Sequence, residues 1–290
     1  MYTLEDVKNL RTSTGAGFAD CKKALEASKG DMDGAIDWLR KNGTAKAAKK
    51  ESRIAAEGLT NIVSDGNTAI ILEVNSETDF VAKNEKFKKF VDDISEALLK
   101  SDVTTMEDAL NVKTSEGTIQ EYLVNMIATI GEKLSFRRFE RVTKNDDEVF
   151  GIYSHMGGRI SVITVVSGAN EEVARDVSMH VAAMNPGYLN REEVPEEVLE
   201  HEKAILIEQA KNEGKPEEIA QKMVAGRINK YYKENCLLEQ EFIKDPDLTV
   251  EKYVANNNGT IKSMIRYEVG EGIEKRVENF AEEVKSQMGA

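Results

Sequence analysis

Apolar positions along this chain alternate between helical spacing and strict alternation, and each switch marks a new element. Leu4, Val7 and Leu10 recur at helical spacing within a segment opened by Thr3-Leu-Glu-Asp6, which has the form of a capping box. Gly15-Ala-Gly17 breaks the chain, and a second helix then places Phe18, Cys21 and Leu25 on one side before Gly30 ends it. Asp31 can cap a third helix, whose Ala35, Ile36 and Leu39 face inward and which is expected to stop at Gly43. Three helices this short make a module with little core of its own.

The pattern then becomes β-like. Leu59 to Val63, Asp65-Gly66 and Thr68 to Val74 predict a hairpin, with Asp-Gly supplying the positive-φ turn. A helix follows with Phe87, Phe90, Val91, Ile94 and Leu98 on one face. Phe150 to Tyr153, Gly157-Gly158 and Ile160 to Val166 predict a second hairpin, followed by a helix facing inward through Val173, Val177, Val181 and Met184. Later segments match residue by residue. Thr118-Ile-Gln-Glu-Tyr-Leu-Val-Asn125 resembles Thr249-Val-Glu-Lys-Tyr-Val-Ala-Asn256, and Ser135-Phe-Arg-Arg-Phe-Glu140 resembles Ser263-Met-Ile-Arg-Tyr-Glu268.

The hairpins are offset by about 90 positions and the later segments by about 130, so the second copy carries roughly 40 extra residues. Those residues predict two helices. One is opened by Pro195 and carries Val198, Ile205 and Leu206; the other presents Ile219, Met223, Val224 and Ile228, with a turn at Asn212-Glu-Gly-Lys-Pro216 between them. Such a hairpin wants a partner surface, either its own core or another protein.

Composition narrows the function. With 290 residues the chain has room for two or three compact units, and its net charge of −13 argues against broad phosphate-backbone binding. The run from Thr44 to Arg53, with Lys46, Lys49, Lys50 and Arg53, is locally basic, and two readings are open: a solvated helical linker or a nucleic-acid contact. No apolar run approaches the ~20 residues of a membrane span, and the N-terminus lacks the features of a secretory signal, so a cytoplasmic location is expected. No phosphate-binding loop is present. His155, His180 and His201 lack companions at metal-ligand spacing, so neither metal nor cofactor is expected. His180 and Cys21 sit at core-facing positions and are read as packing residues.

One short segment stands out. Thr78-Asp79-Phe80-Val81 follows a predicted strand and precedes a predicted helix, placing an aromatic ring in a connection that should lie on the surface. Either Phe80 staples the next helix by packing on it, or it inserts into something else.

The residues around it are similar to those of a known family. Leu10-Arg-Thr-Ser-Thr-Gly-Ala-Gly-Phe-Ala-Asp-Cys-Lys-Lys-Ala-Leu25, Ile71-Leu-Glu-Val-Asn-Ser-Glu-Thr-Asp-Phe-Val-Ala82, His180-Val-Ala-Ala183, Gly214-Lys-Pro216 and Glu268-Val-Gly-Glu-Gly-Ile273 resemble, in order, motifs of the bacterial elongation factor Ts family. Phe18-Ala19 departs locally from relatives that carry two bulky residues there. The resemblance implies an α+β protein with a ubiquitin-associated-like three-helix module at 1–45 and a helical linker at 46–57. Two related core subdomains would span 58–147 and 148–187 with 232–272, with a dimerisation-type helical hairpin inserted at 188–231 and a C-terminal helical module at 273–290. It also implies an exchange factor without covalent chemistry. This factor would act on elongation factor Tu, in GDP-bound and nucleotide-free forms, by inserting Thr78, Asp79, Phe80 and Val81 near the Mg²⁺ and phosphate site. Phe18, Ala19, Ile130 and His155 would be further contacts, and the hairpin a route to a homodimer. No membrane and no direct nucleic acid are expected as partners. The reading from another class is a translation-linked RNA-binding adaptor using residues 44–53.

Overall fold

The computed structural model describes residues 2–214 and 217–274. It is a mixed α and β structure that divides into two compact units. Of the described residues, 2–65, 69–141 and 268–274 form the first, and 66–68 with 142–267 the second. Lys215 and Pro216 of the predicted turn, and residues 275–290 of the expected C-terminal helical module, lie outside the described residues.

The first unit opens with α1 (Leu4–Thr14), α2 (Phe18–Ala27) and α3 (Met32–Lys50). Thr3 and Asp6 make the reciprocal capping box, and Asp31 caps α3 through the Gly34 N–H. Val7, Leu10, Cys21, Ala24, Leu25 and Ala35 form the small core of these helices. The expected stop at Gly43 is overturned, because α3 continues to Lys50. Gly43 is buried against α7 (Ile119–Ile130), where an added Cβ would lie 3.6 Å from the Ala128 and Val124 side chains. Close packing there offsets the ~1 kcal/mol that glycine costs inside a helix.

The sheet of this unit contains β1 (Glu57–Asp65), β2 (Thr68–Ser76) and β5 (Leu134–Thr143), with β2 in the middle. Between β2 and β5 come α4 (Asp79–Ala82), α5 (Glu85–Leu99), α6 (Met106–Asn111), the short strands β3 (Lys113–Thr114) and β4 (Gly117–Thr118), and α7. Ile70, Leu72 and Val74 of β2 meet the predicted face of α5 (Phe87, Phe90, Val91, Ile94 and Leu98) in one core. Phe90 and Tyr122 cross edge to face at 4.8 Å.

The alternate residues of β2 include Glu73, which has no solvent exposure. Its carboxylate accepts from Arg138 at 2.6 Å, Arg137 at 3.1 Å, the Asn75 amide at 2.9 Å and the Gly270 N–H at 2.8 Å. Burial pushes the Glu73 carboxyl up, but the Gly270 N–H, Asn75 and Arg138 outweigh it and hold it below the usual carboxylate range. Gly270 can approach because it has φ +74 and no Cβ; one would sit 2.2 Å from the Ala56 carbonyl.

The second unit repeats the plan. β6 (Glu148–His155) and β7 (Ile160–Ser167) form an antiparallel hairpin, and β10 (Thr260–Glu268) lies beside β7. The intervening elements are α8 (Glu171–Met184), α9 (Glu196–Asn212), α10 (Glu217–Asn235), β8 (Glu241–Phe242), β9 (Asp245–Thr249) and α11 (Val250–Asn256). Thr118 and Thr249, aligned in sequence, cap α7 and α11. Helix α8 packs directly on β6: a Cβ on Gly151 would lie 2.1 Å from the Ala174 carbonyl, so only glycine fits. Val173, Val177 and Val181 are buried as predicted, whereas Met184, the last residue of α8, is 48% exposed.

His180 is fully buried, as its core-facing position predicts, and both ring nitrogens are hydrogen-bonded. Its Nδ1 accepts from the Ile243 N–H at 3.2 Å, which leaves the proton on Nε2 to donate to Gln240 Oε1 at 2.9 Å. Burial lowers its pKa, and the Gln240 bond only partly opposes this.

Replacing Glu73 with Ala leaves two guanidinium groups without their shared carboxylate and should cost about 3–5 kcal/mol in urea unfolding. For His180, a lowered folded pKa means that the unfolded chain binds more protons below its ordinary value of 6.5. Its contribution is therefore full above that value and is lost as pH falls toward the folded pKa. Urea unfolding across this window should show stability falling with acid, and His180→Gln should flatten that part of the slope.

Candidate functional site

Strand β2 ends at Ser76, and the residues after it are held by a set of hydrogen bonds. Ser76 Oγ donates to the Thr78 carbonyl at 2.9 Å. Glu77 accepts from the Lys133 N–H at 2.5 Å and from Arg53 at 3.3 Å. Thr78 donates twice to Glu132, from its N–H at 3.0 Å and its hydroxyl at 2.8 Å. The chain then makes the single turn α4. Val81 and Ala82 of this turn are buried, Val81 in the core of the first unit.

Phe80 points the other way and is 81% exposed. Phe87 and Phe90, the residues it would have stapled, are fully buried without it. The packing alternative for Phe80 is therefore overturned. Burying Val81 on one side of a single helical turn leaves Phe80 on the side that faces out. Asp79 beside it is exposed and pairs with Lys83 at 2.6 Å; that bond holds its carboxyl below the usual range. The tip thus offers one large apolar ring and one carboxylate, on a backbone tied from behind.

The other predicted contact residues are distributed over both units. Phe18 is 43% exposed, and with exposed Ala19 it opens the first turn of α2. Ile130 is half-buried and packs on the first-unit core. His155 belongs to the second unit. It is the last residue of β6, paired with Ile160 at the hairpin turn, where its carbonyl accepts from the Arg159 N–H at 3.1 Å. It is exposed, and its ring stacks on Tyr153 with centroids 6.0 Å apart. Met156 beyond it is 71% exposed with φ +49, held so by the hairpin turn. Met156, Glu77 and Glu132 were missed in the sequence: Met156 lacked a pattern, and the two glutamates are ordinary acidic residues until the fold joins distant segments.

Three of the four basic residues of the run from Thr44 to Arg53 are bonded within the protein. Lys46 pairs with Asp20 at 2.6 Å, Lys50 donates to the Gly131 carbonyl and Arg53 pairs with Glu77. Among the described residues no group of three or more His, Cys, Asp or Glu side chains is placed to hold a metal ion, and no helix is long and apolar enough to cross a membrane.

An exposed aromatic ring beside a carboxylate, on a turn braced from behind, is a surface feature of the kind that anchors docking between macromolecules. The family described as Elongation factor TS matches residues 77–271. A protein of Limosilactobacillus fermentum named Elongation factor Ts is 55% identical over 284 residues, covering 98% of this chain and 97% of its own length. The chain belongs to the elongation factor Ts family, a family of translation elongation factors of protein biosynthesis.

Because the Phe80 ring touches little of its own fold, Phe80→Ala should shift the unfolding free energy by less than ~0.5 kcal/mol. Phe87→Ala, by contrast, should cost about 3–5 kcal/mol. Urea unfolding of the two variants checks this contrast.

Proposed function

We propose that this protein is the guanine nucleotide exchange factor of elongation factor Tu, acting in the cytoplasm on the GDP-bound form and passing through a nucleotide-free complex. The observation that carries this reading is the 81% exposure of Phe80 on a turn whose backbone is braced by Glu77 and Glu132. A ring of that size held in water is an anchor awaiting a pocket. Inserted beside the Mg²⁺ and phosphate site of the partner, Phe80 wedges apart its walls. Asp79, released from Lys83, brings a negative charge toward a centre where Mg²⁺ holds GDP by charge. Thr78 and Val81 keep the turn in shape behind them. No bond is made or broken. The factor and GDP each weaken the other's binding, and the coupling is reciprocal, so GTP reloads the partner as the factor leaves.

In this reading the first three helices form a ubiquitin-associated-like module that docks through Phe18 and Ala19, while Ile130 and His155 add contacts. Helices α9 and α10 form the inserted hairpin. Ile207, Val224 and Ile228 line a cavity of about 410 Å³ along it, and Ile219 is 49% exposed, which favours self-association through its apolar surface. The RNA-adaptor reading is disfavoured because Lys46, Lys50 and Arg53 are bonded within the protein.

The test is release of a fluorescent GDP analogue from purified elongation factor Tu. The protein should accelerate release, and Phe80→Ala should slow the stimulated rate by about tenfold or more, the loss of a ~2 kcal/mol interface anchor. Absence of acceleration by the parent protein would remove the proposal.

A further inference from the structure

The one-turn helix that carries Phe80 is too short to hold its own orientation, since a single turn fixes several dihedrals for very few hydrogen bonds. Its orientation comes from outside. Thr78 occupies the position where threonine ordinarily caps a helix by accepting from its first N–H groups, yet its side chain makes no such bond. The hydroxyl donates instead to one oxygen of Glu132 at 2.8 Å, while the other oxygen takes the Thr78 N–H at 3.0 Å. A local cap would let the turn swing with its connecting segment. The bond to Glu132 ties it to the turn between α7 and β5. That turn has an anchor of its own, since Lys50 of α3 donates to the Gly131 carbonyl, and it holds the tip a second time through the Lys133 N–H, which donates to Glu77. A carboxylate gripping both donors of one residue fixes direction as well as distance.

Resting on the exchange reading above, we propose that Glu132 is a positioning residue of the exchange tip. It acts through Thr78, holding Phe80 and Asp79 in the orientation that enters the partner. An anchor presented in its bound orientation has less freedom to lose on insertion, and a displacement of about 1 Å in a positioned group can cost a hundredfold. The role differs from general stability, because Glu132 is only half-buried.

The test compares Glu132→Ala, Glu132→Gln, Thr78→Val, Thr78→Ser and Phe80→Ala in the GDP-release assay, over a range of factor concentrations and with urea unfolding alongside. Glu132→Ala should lower the maximal release rate by about tenfold, leaving the half-saturating concentration and the unfolding midpoint near the parent values. Glu132→Gln and Thr78→Val, each keeping part of the clamp, should lie between, and Thr78→Ser, which keeps the hydroxyl, should retain more of the rate than Thr78→Val. Adding Thr78→Val to Glu132→Ala should slow release no further, since both remove the same bond. A parental maximal rate in Glu132→Ala overturns the proposal. So does a loss confined to the half-saturating concentration, a loss that tracks unfolding, or full additivity of the double variant. Phe80→Ala separates the two levels: if it exchanges like the parent, the tip reading itself fails; if it is slow while Glu132→Ala is normal, only the role of Glu132 fails.

Discussion

Glu73 sits in the central strand of the first sheet with no exposure to water, and four donors converge on its carboxylate. Two come from neighbouring β5, one from β2 itself and one from the backbone at Gly270, nearly 200 residues away. A buried charge is tolerated only when paired and hydrogen-bonded, so this group accepts little variation in the position of its partners. Such a requirement fixes β2 against β5 more sharply than apolar packing alone, which is non-directional. It also explains the chemistry of the Glu268 to Ile273 motif, where a glycine at φ +74 lets the chain reach the carboxylate.

What β2 delivers is the tip. From Glu73 the strand runs three more residues to Ser76, and Glu77 and Thr78 are then captured by the turn that leads into β5. The same two strands are thus locked at Glu73 and locked again where they open. Beyond the second lock the chain makes one helical turn, with Val81 in the core and Phe80 in water. The ring at this tip is exposed yet held on an ordered turn. Exposure sacrifices the hydrophobic term that would order it, so order here comes from charged and polar bonds behind the ring.

The two sheets share one plan, a hairpin whose second strand also pairs with a later strand. The aligned Thr118 and Thr249 open equivalent helices, and α9 and α10 occupy the interval by which the second copy is longer. The insertion lengthens the chain between α8 and α11 without altering the order of the strands, as expected when an added segment enters a connection.

Much of this was legible in the chain. Local periodicity showed α5, α8 and both hairpins, because those patterns report directly on which face is buried. It also marked Phe80 as an aromatic in a connection. Local rules failed where a distant segment decided the outcome. Gly43 reads as a helix stop, but α7 packs against it and α3 runs on to Lys50. The basic run reads as a solvated or nucleic-acid-binding face, yet Asp20, Glu77 and the Gly131 carbonyl take up three of its charges. Whether Phe80 packs or projects depends on which side of one turn Val81 buries, and spacing over four residues cannot decide that. Sequence by itself determined the elements, the repeat and the family, since these rest on residue pattern. Only the tertiary structure assigned Glu73, Glu77 and Glu132 their work, because an acidic residue acquires a specific role when folding brings its donors within hydrogen-bond reach.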